Sequence, residues 1–217
     1  MNQDLSSYYH NRAREYDKVY QIPEEQQDLA DATTIFQQLF AQKNVLEIAC
    51  GTGYWTEQIS QTAASMLATD INESVIEIAK GRNLSSKVAF EVVDMFQLET
   101  EKRFDALFGG FIWSHILLQD LSKFLQKTVS FLHPGGVFAF IDSKPVAGGY
   151  HDKRRITQTD AHGNTFQTRT LEDGTQHLVL KNFPTREFLE ETLARISNDV
   201  RYTDLEHYWI VSGKVSP

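Results

Sequence analysis

VLEIACGTGYWT, residues 45–56, joins the end of a buried strand to the start of a helix. Three of its first four residues are apolar, which predicts a short strand that is covered on both faces. The Gly-Thr-Gly turn that follows lets the backbone approach a ligand closely, and it aims the N-terminus of the next helix at negative charge. The stretch therefore predicts a nucleotide site where a strand ends.

The residues around this turn narrow the class of nucleotide. A dinucleotide-binding fingerprint would have a third glycine where this chain has Thr56, and no Lys-Ser or Lys-Thr pair follows to make a Walker motif. Glu47 lies within the predicted strand, and Asp70 ends the next one. Two carboxylates near a glycine turn favour a ligand with hydroxyl and ammonium groups over a pyrophosphate.

Strands alternate with helices along most of the chain. Strands are predicted at 45–49, 66–70, 88–93, 104–108 and 137–141, and helices at 23–41, 54–64, after Asn72 and at 121–132. This spacing predicts a parallel sheet with helices on both faces, whose ligands lie beyond the carboxyl ends of the strands. After Asp142, residues 165–181 predict a hairpin that turns at Asp173-Gly174, followed by a helix capped by Thr185 and a strand at 208–215.

Composition and charge limit the class of protein. The 217 residues fit one domain, and the 41% hydrophobic fraction is typical of a globular protein. A net charge of −8 disfavours nucleic acid, because a phosphate backbone needs a basic surface. There is no apolar run of membrane-spanning length and no secretory leader pattern, and the single cysteine, Cys50, favours a reducing compartment. We therefore expect a cytoplasmic protein with a small-molecule partner, no membrane contact and no metal.

The order of the motifs resembles class I S-adenosylmethionine-dependent methyltransferases. LEIACGTG matches that family's first motif, Asp70 its ribose-binding acid, VVDMF its adenine-binding motif, and FDALFGGFIWSHI and LHPGGVFAF the motifs of its fourth and fifth strands. The resemblance runs from about residue 8 to residue 141. It implies a Rossmann-like α/β fold with a mostly parallel seven-stranded sheet and helices on both faces. We expect one domain, 1–217, with an N-terminal lid at 1–22 and a β-hairpin insertion at 143–183 that covers the site.

The resemblance also implies a site for S-adenosylmethionine. The residues that it assigns to the cofactor are Glu47, Gly51 and Gly53 at the methionine end, Asp70, Ile71, Asp94 and Met95 at the ribose and adenine, Gly110 and Phe111 near the sulfonium, and Tyr16 of the lid. The candidates for the substrate are Tyr8, Tyr9 and Arg12 of the lid, together with Trp113 and Arg169. Structural alternatives stay open: the aspartates also suit turns, and the aromatic residues also suit the core.

His115 follows the fourth strand, where members of the family often have a residue beside the transferred methyl group. A histidine whose pKa is near neutrality can take a proton from a hydroxyl, thiol or amine. It can equally well bond a backbone carbonyl and shape the pocket. Arg169 belongs to a basic insertion that is suited to a substrate carboxylate or phosphate, with a solvated charged loop as the alternative.

The implied reaction is in-line transfer of a methyl group from the sulfonium to a small acceptor. The segment GGFIWSHI replaces the Asn-Pro-Pro-Tyr-like segment of base-methylating members, which argues against a nucleic-acid base as acceptor. O-, N- and C-methylation stay open. Two other classes are kept: a Rossmann oxidoreductase, which Thr56 disfavours, and a non-catalytic S-adenosylmethionine-binding or regulatory protein.

Overall fold

The computed structural model describes residues 16–85, 87–147, 152, 155–171 and 173–216. The strands are β1 (Asn44–Ile48), β2 (Ser65–Asp70), β3 (Val88–Val92), β4 (Phe104–Gly110), β5 (Leu132–Ser143), β6 (Ile156–Thr159), β7 (Thr165–Thr170), β8 (Gln176–Leu180), β9 (Arg201–Asp204) and β10 (Tyr208–Lys214). The helices are α1 (Gln26–Leu39), α2 (Tyr54–Ser60), α3 (Glu73–Lys80), α4 (Leu121–Ser130) and α5 (Arg186–Leu193). Short 3-10 turns span Tyr16–Gln21, Pro23–Glu25, Trp113–His115 and Leu118–Asp120. None of the helices in these ranges is long and apolar enough to cross a membrane.

Seven strands form one sheet in the order β3-β2-β1-β4-β5-β10-β9. The strands from β3 to β5 in that order pair in parallel, and β10 pairs antiparallel with both β5 and β9. The predicted mostly parallel seven-stranded sheet is confirmed. The edge strand β9 was not predicted, since its four residues, RYTD, are mostly polar.

Apolar side chains cover both faces of this sheet. One cluster includes Phe124 of α4 and Phe140 of β5, and the other includes Phe36 of α1 and Phe108 of β4. Because parallel strands of this kind are buried on both faces, they appear in the sequence as continuous apolar runs. The core therefore fixes the strand ends at which the candidate site lies.

The predicted hairpin pairs as expected, with β7 antiparallel to β8. A third strand, β6, joins β7 and makes a separate three-stranded sheet. This strand was missed because its sequence, ITQT, has one apolar residue and three of its four side chains are exposed. The division of the chain into a lid, a main domain and an insertion stays a prediction.

The segment HPGG, residues 133–136, lies inside β5, which begins at Leu132 and not at the predicted residue 137. Phe104 pairs with Leu132, but Ala106 pairs with Val137, so the residues between the two partners on β5 bulge out of the ladder. Gly135 has a φ of +74°, which a glycine adopts without strain. The chain therefore turns within the strand and not before it.

We expect Gly53→Ala to destabilise the fold more than a matched substitution at Gly174. Both glycines have positive φ, +81° and +85°, so both variants suffer the left-handed strain of about 1 kcal/mol. An added Cβ at Gly53 would also lie 2.7 Å from the Cβ of Ala79, whereas at Gly174 no atom of the described residues would lie within 4 Å. Urea denaturation should show a loss of about 3 kcal/mol for Gly53→Ala. Equal losses for the two variants would contradict close packing of the turn on α3.

Candidate cofactor and acceptor site

A cleft lies at the carboxyl ends of β1, β2 and β4. The predicted site residues that line it are Tyr16, Gly51, Asp70, Ile71, Asp94, Met95, Gly110, Phe111 and His115. It is also lined by Ala49, Asn72, Val75, Val93 and Ile112, which the sequence analysis did not predict. Three of them, Asn72, Val93 and Ile112, adjoin a predicted residue in the chain. Their position close to the end of a strand is the sequence signal that could have identified them. The cleft is where ligands of parallel sheets bind.

The backbone that lines the cleft is left-handed at three positions. The φ angles of Ala49, Gly51 and Phe111 are +53°, +54° and +56°. For the two residues that carry side chains, this conformation costs about 1–2 kcal/mol each. It is held in place at Phe111 by a bond from its backbone N–H to the carbonyl of Ile141, 2.8 Å long. The bend after β4 therefore has a fixed geometry where it borders the cleft.

Asp70 ends β2 and accepts two backbone hydrogen bonds. Its Oδ2 accepts from the N–H of Gly51 and its Oδ1 from the N–H of Asn72, both at 2.9 Å. The residue is 8% exposed, and burial raises the pKa of its carboxyl. The side chain thus connects the glycine turn to the start of α3, as expected of an aspartate that stabilises a turn. It also lines the cleft, as expected of an aspartate that binds a ligand.

Asp94 follows β3 and organises a turn at the rim of the cleft. Its Oδ1 accepts from the N–H of Phe96 at 2.9 Å, and its backbone carbonyl accepts from the N–H groups of Gln97 and Leu98. Met95 beside it is buried, 3% exposed, and also lines the cleft. Like Asp70, Asp94 both stabilises a turn and lines the cleft.

Two residues that the resemblance assigned to the cofactor lie outside the cleft lining. Glu47 is 1% exposed, and its Oε2 accepts a hydrogen bond of 2.6 Å from the hydroxyl of Thr56. The partner that this buried acid needs is therefore a threonine of α2, in place of the ligand expected from the sequence. Burial raises the pKa of Glu47 to about 8, so it is protonated at neutral pH. Gly53 packs against Ala79 of α3.

His115 lines the cleft with its ring held by the insertion. Its Nδ1 lies 2.5 Å from the carbonyl oxygen of Leu180 and donates a hydrogen bond to it. This contact requires the tautomer that carries the proton on Nδ1. Burial, followed by the charge of Lys181, lowers the pKa of His115 to about 3. The imidazole is therefore neutral at physiological pH and a poor proton acceptor, which argues against the general-base interpretation and favours the structural alternative.

A buried ion pair lies behind His115. Lys181 donates to Asp142 Oδ1 at 2.8 Å and to the hydroxyl of Ser114 at 2.9 Å, and Asp142 Oδ2 accepts from the N–H of Ser114. The side chains of the lysine and the aspartate are 2% and 1% exposed. The charge of the lysine holds the pKa of Asp142 below its usual range against the effect of burial. The pair joins the end of β8 to the end of β5, and no sequence pattern indicated it.

Trp113 belongs mainly to the core. It is 2% exposed and packs edge-on against the rings of Phe124, Phe140 and Trp209. It also borders a second cavity, between the turns after β4 and the start of α5, and it is absent from the lining of the main cleft. The core alternative therefore describes this tryptophan better than substrate binding.

Arg169 lies on β7, directly opposite His177 of β8. Its guanidinium donates to Oε1 of Gln167 at 3.2 Å, and its charge lowers the pKa values of both His115 and Lys181. The arginine is absent from the lining of the main cleft, so its effect on His115 and Lys181 is through its charge. The remaining substrate candidates, Tyr8, Tyr9 and Arg12, lie outside the described residues.

Solved structures share this architecture. A structure described as "DhpI-SAH complex structure" is 26% identical, with a TM-score of 0.79, and the match covers 99% of this chain and 97% of that one. The "DhpI-SAM-HEP complex" is also 26% identical, with a TM-score of 0.78. A family model described as "Methyltransferase domain" matches residues 45–136. Residues 45–136 therefore match a methyltransferase domain, and the whole chain has the fold of the class I S-adenosylmethionine-dependent methyltransferases that its motifs resemble. Members of this family use S-adenosylmethionine as their cofactor, as the resemblance implied.

Two kinds of curated relative match this chain over part of their length. The malonyl-[acyl-carrier protein] O-methyltransferase of Bacillus anthracis is 34% identical over 100 residues, which are 44% of this chain and 36% of that protein. The phosphoethanolamine N-methyltransferase of Triticum aestivum is 27% identical over 136 residues, 61% of this chain and 27% of that protein. The match thus covers only about a quarter to a third of the length of these two relatives.

The stability of this protein should reveal the lowered pKa of His115. An unfolded histidine is protonated below about pH 6.5, whereas the folded one stays neutral down to about pH 3, so acid favours unfolding within this window. The stability advantage of the wild type over His115→Gln should therefore shrink by roughly 2 kcal/mol from about pH 7 to about pH 5. Urea titrations of both proteins measure this difference, and other titrating groups cancel. A difference that does not change with pH would contradict the neutral buried imidazole.

Proposed function

We propose that this protein transfers the methyl group of S-adenosylmethionine to a small acidic acceptor. The observation that carries the proposal is the cleft in which the carboxylate of Asp70 and the glycine turn at Gly51 face one space with His115. The named relatives are methyltransferases, which favours an enzyme over a non-catalytic binding protein.

The chemistry of the lining fits the cofactor. Each carboxylate oxygen of Asp70 accepts one backbone N–H and has a second lone pair with which to accept a ribose hydroxyl. Ile71 and Met95 supply apolar surface for an adenine ring, and Asp94 at the rim supplies an acceptor for its amino group. Gly110 and Phe111, at the bend after β4, are suited to the neighbourhood of the sulfonium.

When bound, the cofactor supplies a methyl group on a sulfur that already carries positive charge and leaves readily. The protein then has to align the acceptor and exclude water. Phe111, Ile112 and Gly110 supply a fixed, apolar wall on that side of the cleft. His115 stays neutral, so its unprotonated Nε2 can accept a hydrogen bond but does not take up a proton at neutral pH.

The absence of an effective base at His115 favours an acceptor that needs no deprotonation. A carboxylate or phosphate oxygen is already a nucleophile at neutral pH. One face of the β7–β8 pair carries Arg169 and Gln167, and the amide nitrogen of Gln167 is buried and has no hydrogen-bond partner among the described residues. A buried donor of this kind costs free energy unless a ligand bonds it. The acceptors in the names of the relatives, malonyl and phosphoethanolamine, both carry acidic groups.

Two further features belong to the proposal. We place the protein in the cytoplasm because Cys50 is a buried free thiol, which suits a reducing compartment. We also assign the basic insertion to the acceptor, with Arg169 as its contact to an acidic group.

Calorimetric titration tests the cofactor. S-Adenosylhomocysteine and S-adenosylmethionine should bind, and NAD should not. Asp70→Ala should weaken binding about tenfold or more, because each lost carboxylate hydrogen bond contributes about 1.5–3 kcal/mol. Asp105→Ala is the matched control, since Asp105 accepts two hydrogen bonds from Asn44 at the opposite end of β1. Equal affinity of wild type and Asp70→Ala, or equal losses in both variants, would contradict the assignment.

Transfer of a tritiated methyl group tests the acceptor. Malonate and phosphoethanolamine should be methylated in preference to malonamide and ethanolamine, which lack the acidic group. Arg169→Gln should raise the KM for the acidic acceptor about tenfold, with a smaller change in kcat, because one charge-assisted contact is lost. Arg186→Gln, which removes an exposed pair with Glu190 on α5, is the control. Equal kcat/KM for charged and neutral compounds would overturn the acidic-acceptor proposal.

A further inference from the structure

The segment Tyr16–Gln21 runs from the cleft to the start of α1, and we call it the strap. At its first residue, Tyr16 lines the cleft near Gly51. At Tyr20, the ring stacks on Tyr54 with centroids 3.8 Å apart and lies 6.0 Å from the ring of Phe111. The strap therefore contacts both the glycine turn and the bend after β4.

The two ends of the strap are held by different bonds. Near α1, the side-chain amide of Gln26 donates to the carbonyls of Tyr20 and Ile22. At the cleft end, Asp17 accepts from the hydroxyl of Thr52 at 2.5 Å and from the guanidinium of Arg82 at 2.6 Å. The first end is held by neutral hydrogen bonds, and the cleft end is held by an ion pair.

Arg82 connects the strap to the glycine turn. Its Nε donates to the backbone carbonyl of Thr52 at 2.5 Å, while another nitrogen bonds Asp17 and a third bonds Glu57 at 3.1 Å. Thr52 is the residue between Gly51 and Gly53, so the arginine forms hydrogen bonds to both the turn and the strap. The side chains of Arg82 and Asp17 are 16% and 39% exposed, which leaves the pair partly shielded from solvent.

From this geometry we infer that Arg82 and Asp17 are positioning residues that hold the strap closed over bound cofactor and set the rate at which the cofactor product leaves. Opening the strap at Tyr16 requires the contacts of Asp17 with Arg82 and Thr52 to break, whereas the contacts of Gln26 can persist as a hinge. The inference rests on the proposed function, because it concerns a ligand in the same cleft.

The other contact of Arg82 supplies a control. Glu57 lies on α2 and bonds the same guanidinium, but it is not part of the strap. A purely structural role of the arginine, joining α2 to the chain after α3, would depend on Glu57 as much as on Asp17. We call the pair of Asp17 and Arg82 the latch. Of the two carboxylates that bond Arg82, only Asp17 belongs to it.

Surface plasmon resonance on the immobilised full chain, with S-adenosylhomocysteine as the probe, tests the latch. Asp17→Asn and Arg82→Gln should each raise the dissociation rate about tenfold with little change in the association rate, since loss of a charged contact acts mainly on dissociation. The double variant should dissociate no faster than the faster single variant, because both substitutions remove one shared interaction. Glu57→Gln should dissociate like the wild type, and melting of the ligand-free proteins checks that each variant folds.

The outcomes separate the latch from the proposed function. An unchanged dissociation rate in Asp17→Asn, or the same acceleration in Glu57→Gln, would overturn the latch while leaving cofactor binding intact. Additive effects in the double variant would likewise overturn it. If the folded wild type does not bind S-adenosylhomocysteine at all, the proposed function fails, and the latch fails with it.

Discussion

The carboxylate of Asp70 is the constraint on which the site depends. It ends β2 and accepts backbone N–H groups from Gly51 after β1 and from Asn72 before α3. A single side chain therefore fixes the distance between two neighbouring strand ends and the path of the turn between β1 and α2. The turn is left-handed at Ala49, Gly51 and Gly53, and such a path persists only where surrounding bonds determine it.

The second constraint joins the two sheets. Lys181 of the insertion reaches Asp142 at the end of β5, and both are almost completely buried. Breaking a buried pair of this kind leaves a charge without a partner, which is strongly unfavourable. The carbonyl of the preceding residue, Leu180, accepts a hydrogen bond from the ring of His115. The end of β8 therefore both attaches the small sheet and orients a residue of the cleft.

Much of the fold followed from local signals. Continuous apolar runs located the central strands, and Asp70 was recognisable as the acid that ends the second of them, whereas the role of Asp94 came from the resemblance. Lys181 was not, because its partner is 39 residues away and neither residue belongs to a local pattern. Arg82 was missed for the same reason, since its contact with Asp17 spans 65 residues. Glycine spacing located the turn, but it could not show that Gly53 packs on a helix and does not line the cleft.

In the proposed function, the two sheets contribute different parts of the site. The residues proposed for the cofactor lie on loops of the seven-stranded sheet, while Gln167 and Arg169 lie on the small antiparallel sheet, which enters the chain between β5 and α5. Backbone strain at Ala49 and Phe111 restricts which residues can replace them on the first part. Under the proposed function, the small sheet, whose strands β7 and β8 contain no residue with positive φ, is the part in which substitutions change the acceptor preference, provided that the Lys181–Asp142 pair is kept.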